Sequence, residues 1–358
     1  MRGRAARLLH AAAAGCALAA VPLAWCAAAD PRQWLEKMSH ALATRNYDGT
    51  FFHVSDGRVE MMRIVHRVKG GRVIERLQSL EGSGREFIRN DDQLTCYLPD
   101  EHTVLVELRQ KRGPFLSSLP KFGSGVERFY RIESLPDARL LGKLVHVIAV
   151  NPTDRYRFGY RLWLDRRTAM PLKTQLYDSQ GRVLEQIIFA QLKMPKTIPA
   201  SDLEPAVSTA GMRWIVQSPS ANASAAVSAF RASELPPGFR LTVAAAQTLG
   251  GAKRPAEHLV YSDGLATVSV FVEPGRGRKP ALAAAAGAAS AGSAAAAAPA
   301  PTLRGLAHIG SGFAFSTMVA GHQVTAVGEV PAETVEFIAH SVKSFGAGVR
   351  PQPRLPPP

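Results

Sequence analysis

From Asp154 to Leu192 the chain reads DRYRFGYRLWLDRRTAMPLKTQLYDSQGRVLEQIIFAQL. Between Tyr156 and Leu164 every even position is apolar: Tyr156, Phe158, Tyr160, Leu162 and Leu164. The odd positions carry Arg157, Gly159 and Arg161, with Trp163 the exception. Alternation of period two sends the two sets to opposite faces of a strand. Strand-like runs follow near Leu172–Tyr177 and Arg182–Leu192, with Asp165-Arg166-Arg167 and Asp178-Ser179-Gln180-Gly181 as the turns between them. This pattern specifies an antiparallel meander with one apolar and one basic face. Such a sheet can bind an apolar guest without any catalytic group.

The amino terminus carries a targeting signal over residues 1–29. Arg2, Arg4 and Arg7 precede an apolar Leu8–Leu23 run, and Ala27-Ala28-Ala29 supplies small residues for cleavage before Asp30. A retained membrane anchor is the alternative, but the apolar run is short for a span and ends in a cleavable pattern. The expected product is exported and soluble. Cys16 and Cys26 fall inside the signal, so Cys96 is left without an internal disulfide partner. The net charge is +14, and most of the surplus lies before residue 200. A basic exported protein meets anionic membrane surfaces, acidic headgroups or acidic protein segments, and no nucleic acid.

Asp30-Pro31 is an N-cap followed by an N1 proline, and Trp34, Leu35, Met38, Ala41 and Leu42 recur at helical spacing. Strands are expected at 49–54, 58–68, 72–80, 85–89, 93–98 and 103–108, separated by Asp, Asn, Gly or Pro turns. Arg109–Pro136 breaks that rhythm with Gly113-Pro114, Pro120 and short helical pieces near 115–119 and 126–130, before strands resume at Arg139–Val150. The Pro-bearing connector near Met194–Pro205 reads as a domain boundary and a hinge. The domain reading is thus 30–197, a linker at 198–211, and a second domain at 212–345. Hairpins are expected there around Asp263-Gly264 and Ala320-Gly321-His322, and a last helix after Pro331. Residues 274–301, nearly all Ala, Gly, Pro and Ser, read as a disordered insertion, and 346–358 as a disordered tail. The fold class is α+β: a curved antiparallel sheet wrapped on helices, then further antiparallel hairpins with a terminal helix.

The sequence holds no HExxH, no CxxC, no P-loop and no dinucleotide fingerprint. His53, His66, His102 and His146 lie far apart, and the turn acids read as solvated. No enzyme, metal or cofactor is therefore expected. What remains is surface chemistry. Phe51, Met62, Ile64, Phe87, Tyr97, Phe158, Tyr160, Leu162 and Phe189 can be gathered into an apolar face. One outcome is an ordinary filled core. The other is a cavity for an acyl chain rimmed by Arg63, Arg67, Arg76, Arg155, Arg157 and Arg161, whose planar forks suit phosphates.

Four stretches carry a resemblance: WLEKMSHALATRNYDGTFFHV, RFGYRLWLDRRTAMPLKTQLYDSQGRVLEQIIFAQL, LVYSDGLATVSVFVE and GHQVTAVGEVPAETVEFIAHSV. From Trp34 to about Val342 the chain resembles the RseB/MucB family, periplasmic negative regulators of the envelope-stress sigma factor sigma-E (AlgU). The Ala-rich stretch at 281–300 departs from the family pattern. The resemblance implies a first domain similar to the lipoprotein carriers LolA and LolB, an unclosed antiparallel β-barrel wrapped on helices, and a smaller C-terminal domain with an antiparallel sheet and terminal helix. It also implies binding to the periplasmic domain of an RseA/MucA-like anti-sigma factor, shielding it from a DegS-type site-1 protease. Lipid or lipopolysaccharide would relieve that repression. No short motif fixes the partner contacts, and a homodimer stays open. The competing readings are a periplasmic lipid or lipoprotein carrier and an envelope enzyme. The second domain disfavours the first, and the missing catalytic constellation the second.

Overall fold

The computed structural model describes residues 30–82, 84–90, 93–108, 125–217, 228–247, 256–274 and 305–345. The signal segment, the expected helical piece near 115–119, the Ala-rich insertion after Pro274 and the tail lie outside the described residues.

Helix α1 (Pro31–Thr44) opens the described chain, its first turn capped by Asp30, whose side chain accepts from the Arg32 N–H. It presents Leu35, Met38, Ala41 and Leu42 along one buried stripe. Next come β1 (Tyr47–Ser55), β2 (Arg58–Lys69), β3 (Arg72–Ser79), β4 (Glu86–Asn90), β5 (Gln93–Leu98) and β6 (Thr103–Leu108). After them run β7 (Tyr130–Leu140), β8 (Lys143–Pro152), β9 (Gly159–Asp165), β10 (Pro171–Tyr177), β11 (Val183–Lys193) and β12 (Arg213–Gln217). These form one open 12-stranded sheet in the order β12-β6-β5-β4-β3-β2-β1-β11-β10-β9-β8-β7. Its inner face closes around α1. Leu35 and Met38 meet Tyr47, Phe51, Met62, Ile64, Ile148, Leu162, Leu164 and Phe189 in one core.

The second half supplies β13 (Phe230–Ala232), β14 (Arg240–Gln247), β15 (Ala256–Ser262) and β16 (Thr267–Pro274). It continues with β17 (Gly305–Ile309), β18 (Gly312–Val319), β19 (His322–Gly328), α2 (Ala332–Ser341) and β20 (Val342–Ser344). The sheet order is β14-β15-β16-β19-β18-β17, and β13 pairs with β20. Helix α2 buries Val335, Ile338 and Ala339 against Val268, Val270, Val324 and Ala326.

Three expectations need correction. The strand expected at 139–150 covers the end of β7, a turn at Leu141-Gly142 and most of β8, and β7 itself begins at Tyr130 and runs through Pro136. Proline is tolerated there because β7 is an edge strand and its register shifts between Leu135 and Ala138. The strand expected from Tyr156 begins at Gly159, so Tyr156–Phe158 form a turn and Arg157 does not belong to a strand face. The segment after residue 212, assigned from sequence to the second domain, pairs parallel with β6 at the edge of the first sheet. A parallel neighbour requires a crossover connection. The chain from β11 provides it by crossing the sheet's outer face.

Candidate functional site

Strand alternation sorts the candidate residues. Phe51, Met62, Ile64, Leu162 and Phe189 all face inward, and each is at most 2 % exposed. Phe51 and Phe189 meet with tilted rings, 5.5 Å between ring centres. These positions are a core filled by α1. Phe87 and Tyr160 sit at the margin of the same core and stay partly open, as do Leu94 and Leu192. Phe158 is buried, but in the turn before β9. Tyr97 lies on the other face, with Val104, Val106, Val207 and Met212, so it cannot line the inner wall.

The arginines do not form a rim. Arg63, Arg67 and Arg76 point outward, because Met62 and Ile64 take the inward positions of β2 and Leu77 that of β3. Arg63 is held 3.0 Å from Asp48, and Arg67 pairs in register with Ile74. Arg76 is buried, with Nε donating to Glu86 at 2.9 Å. Arg161 lies over the Tyr177 ring at 5.4 Å. Arg155 is exposed and reaches Glu333 of α2 at 3.1 Å.

The Arg76–Glu86 pair fastens the connector. Glu86 also accepts from the Ala206 N–H at 3.0 Å, and Arg76 donates to the Asp202 carbonyl at 3.3 Å. Ile198 and Leu203 pack beside Val65. The stretch read as a hinge is thus a strap on the outer face. Glu86→Ala is expected to cost about 2 kcal/mol, below the usual loss for a broken buried pair because Arg76 keeps Asp202 and Gln78. Faster proteolysis within 196–206 would accompany it; an unchanged cleavage rate would mean the strap is held by its apolar contacts alone.

The inner wall also holds a polar cluster. His66 stacks on Tyr47 at 4.5 Å and places Nδ1 2.6 Å from Glu75, which also pairs with Arg89. Burial, and then Arg89, pushes the His66 imidazole down to about 4. Burial raises the Tyr47 phenol, so it stays protonated. A depressed histidine binds its proton more readily when unfolded. Stability is therefore complete above the unfolded value and falls with pH through the window from 6.5 to about 4. A His66→Phe variant should show a flatter denaturation profile across that window.

Arg157 has a different role from the one expected. Its side chain is fully buried where the two sheets meet. Nε donates to Asp263 at 2.6 Å, and the two terminal nitrogens donate to Asp154 and to the Pro237 carbonyl. Asp263 lies in the β15–β16 turn, and Tyr130 donates to it at 3.1 Å. Its other oxygen accepts the N–H groups of Leu265 at 2.8 Å and Ala266 at 2.7 Å. The guanidinium is flanked by Phe129 at 4.6 Å and Phe239 at 5.2 Å. Burial works against its charge, but hydrogen bonds to Asp263 and Asp154 outweigh it and hold Arg157 protonated. Burial, and then Asp263, raises the Tyr130 phenol. Gly238 has φ +84°, and a Cβ there would collide with Phe129, so that glycine lets the ring seat. Thr334 Oγ1 donates to the Tyr156 carbonyl at 2.9 Å, and Tyr156 meets Phe337 edge-on. The Asp-Gly turn was legible in the sequence, but its partner 106 residues earlier was not.

Two sheets meet at a buried, charged seam, with the apolar core around α1 beside it. Residues 30–207 match the MucB/RseB N-terminal domain, and residues 224–343 match the MucB/RseB C-terminal domain. The sigma factor AlgU regulatory protein MucB of Pseudomonas aeruginosa is 31% identical over 322 residues, spanning 89% of this chain and 93% of that protein. The sigma-E factor regulatory protein RseB of Escherichia coli K12 is 24% identical over 319 residues, spanning 87% and 90%. A Pseudomonas aeruginosa MucA/MucB complex superposes with TM-score 0.65 at 28% identity, covering 89% of this chain and 100% of that one. MucB in complex with MucA(peri) gives TM-score 0.63 at 27% identity, with the same coverage. The chain belongs to the MucB/RseB family, which includes the sigma factor regulatory proteins MucB and RseB.

Proposed function

We propose that this chain is a periplasmic regulator that binds the periplasmic segment of a MucA/RseA-type anti-sigma factor. Binding shields that segment from site-1 proteolysis and so represses the envelope-stress sigma factor. The observation that carries this reading is the extent of the likeness. The likeness to MucB in complex with MucA extends over 89% of this chain. A partner that spans two sheets is served by a seam that fixes their relative position. The leader and the basic balance support export.

The lipid part of the reading is narrower than the sequence suggested. Phe51, Met62, Ile64 and Leu162 pack in one buried core with Leu35 and Met38 of α1. An acyl chain would enter at the margin, beside Phe87, Leu94 and Tyr160, and deepen only by displacing α1. Lipid shifts a bound partner only if it prefers one arrangement of the protein over another. Displacement of α1 is that second arrangement.

The test is a protease-protection assay on the purified anti-sigma segment. Added protein should slow its cleavage by a site-1 protease, and lipopolysaccharide should restore it. Cleavage that ignores the protein would sink the regulatory reading. Protection that ignores lipopolysaccharide would sink only the lipid part.

A further inference from the structure

A second polar contact joins the sheets, and it is acidic. Glu185 lies on β11 and Glu329 directly follows β19, so each sheet contributes one carboxyl. Between them sits Ser311, 3 % exposed, in the turn from β17 to β18. Its Oγ lies 2.7 Å from Glu185 Oε2 and 2.8 Å from Glu329 Oε1. A hydroxyl has one hydrogen, and an ionised carboxylate only accepts. With both glutamates ionised, one of these two short contacts holds no hydrogen, and two like charges face each other across the seam. One proton on one glutamate supplies the missing donor and removes the repulsion.

His53 decides which glutamate that is. Its Nε2 lies 3.2 Å from Glu185 Oε1, and among the described residues no ion pair reaches Glu329. We propose that Glu329 holds the proton of a Glu185–Glu329 pair bridged by Ser311, and that this pair is a pH-sensitive latch between the two sheets. Protonated, it is closed; deprotonated, it loosens. The latch does not rest on the proposed function, because every group in it belongs to this chain.

The surroundings agree. Burial, and then the charge of Glu185, pushes Glu329 up to about 8. Burial would raise Glu185 as well, but the hydrogen bond and charge of His53 hold it below the usual carboxylate range. The groups that face the pair are His53 from β1, Tyr160 from β9 and Ser311 from the turn. Tyr160 is raised by burial first, and then by Glu329, Asp263 and Glu185. At the exposed edge of the seam, His308 of β17 lies 3.8 Å from Asp56. The turn itself is rigidly placed, because a Cβ at Gly312 would collide with the Gly328 carbonyl.

The sign follows from where the proton is held. Separated in water, Glu329 titrates near 4.5; in the closed seam it titrates near 8. The closed form keeps its proton where the open form has lost it. Closure is therefore strongest below 4.5 and weakens as pH rises toward about 8. The docking equilibrium falls by at most about tenfold per pH unit in that window. Glu185 keeps 16% of its side chain exposed, so water screens part of the effect.

The test uses the mature protein with Cys96→Ser and two label sites, Arg58→Cys and Leu306→Cys, one on each sheet. Inter-label distances are measured by spin-label spectroscopy from about pH 5 to about pH 9. The distance distribution should widen as pH rises from about 5 to about 8, and Glu329→Gln, whose amide donates without titrating, should keep the low-pH distribution throughout. A distribution that ignores pH, or a Gln variant that follows the parent, overturns the proposal. Should the Gln variant not fold, infrared spectra of the unmodified protein decide. A protonated carboxyl band that persists at neutral pH and vanishes by about pH 9 upholds the shared proton; full ionisation by about pH 6 overturns it.

Discussion

Replacing Arg157 by methionine is expected to lower the unfolding free energy by about 3–5 kcal/mol. The substitution keeps most of the volume but removes a buried cation. Asp263 then keeps its two backbone donors and Tyr130 but loses its counter-charge. The Pro237 carbonyl also loses its donor. Lysine should not rescue the loss, because one ammonium cannot reproduce a planar fork that serves Asp263, Asp154 and Pro237 together. The Arg157→Met/Asp263→Asn double variant should lose less than the sum of its single variants, as expected for groups in contact. Denaturant unfolding measures each of these variants. A loss below about 1 kcal/mol for Arg157→Met would place the stability of the seam in the apolar contacts of Phe129, Phe239 and Leu265 instead.

Leu162→Ala is expected to cost about 2–5 kcal/mol, the range for a large-to-small change in a close-packed core. Leu162 is 0% exposed and sits among the residues that enclose α1. This variant separates a filled wall from a hollow one. If the wall already held space for an acyl chain, truncation would add little new cavity. A loss below about 1 kcal/mol by thermal or denaturant unfolding would therefore restore the open-cavity expectation and contradict the packing described above.

Much of the fold was legible because local chemistry specified it. The turn at Asp56-Gly57 and the one at Gly70-Gly71 require positive φ, and each residue adopts it. The strands on either side consequently fall where alternation placed them. Strand β7 was missed because Pro136 reads as a breaker, and only its position at the sheet edge makes it harmless. Strand β12 was assigned to the wrong sheet because a short apolar run does not reveal its partner. The site was less legible. Alternation put Met62 and Ile64 correctly on one face, but facing inward does not say whether a face is hollow. The filling comes from α1, more than ten residues earlier in the chain. Arg157 was read as a surface charge because its acceptors, Asp263 and Pro237, lie far away in sequence. The Glu185–Ser311–Glu329 contact was invisible for the same reason.

The central claim is that this two-sheet unit grips an anti-sigma segment. Calorimetric titration of the purified periplasmic domain of a MucA-type protein into the mature chain tests it most directly. Saturable binding by the native protein is expected, with markedly weaker binding by Arg157→Met, in which the sheets lose their fixed relation. Absence of heat and of complex with native protein would contradict it, whatever the stability measurements show.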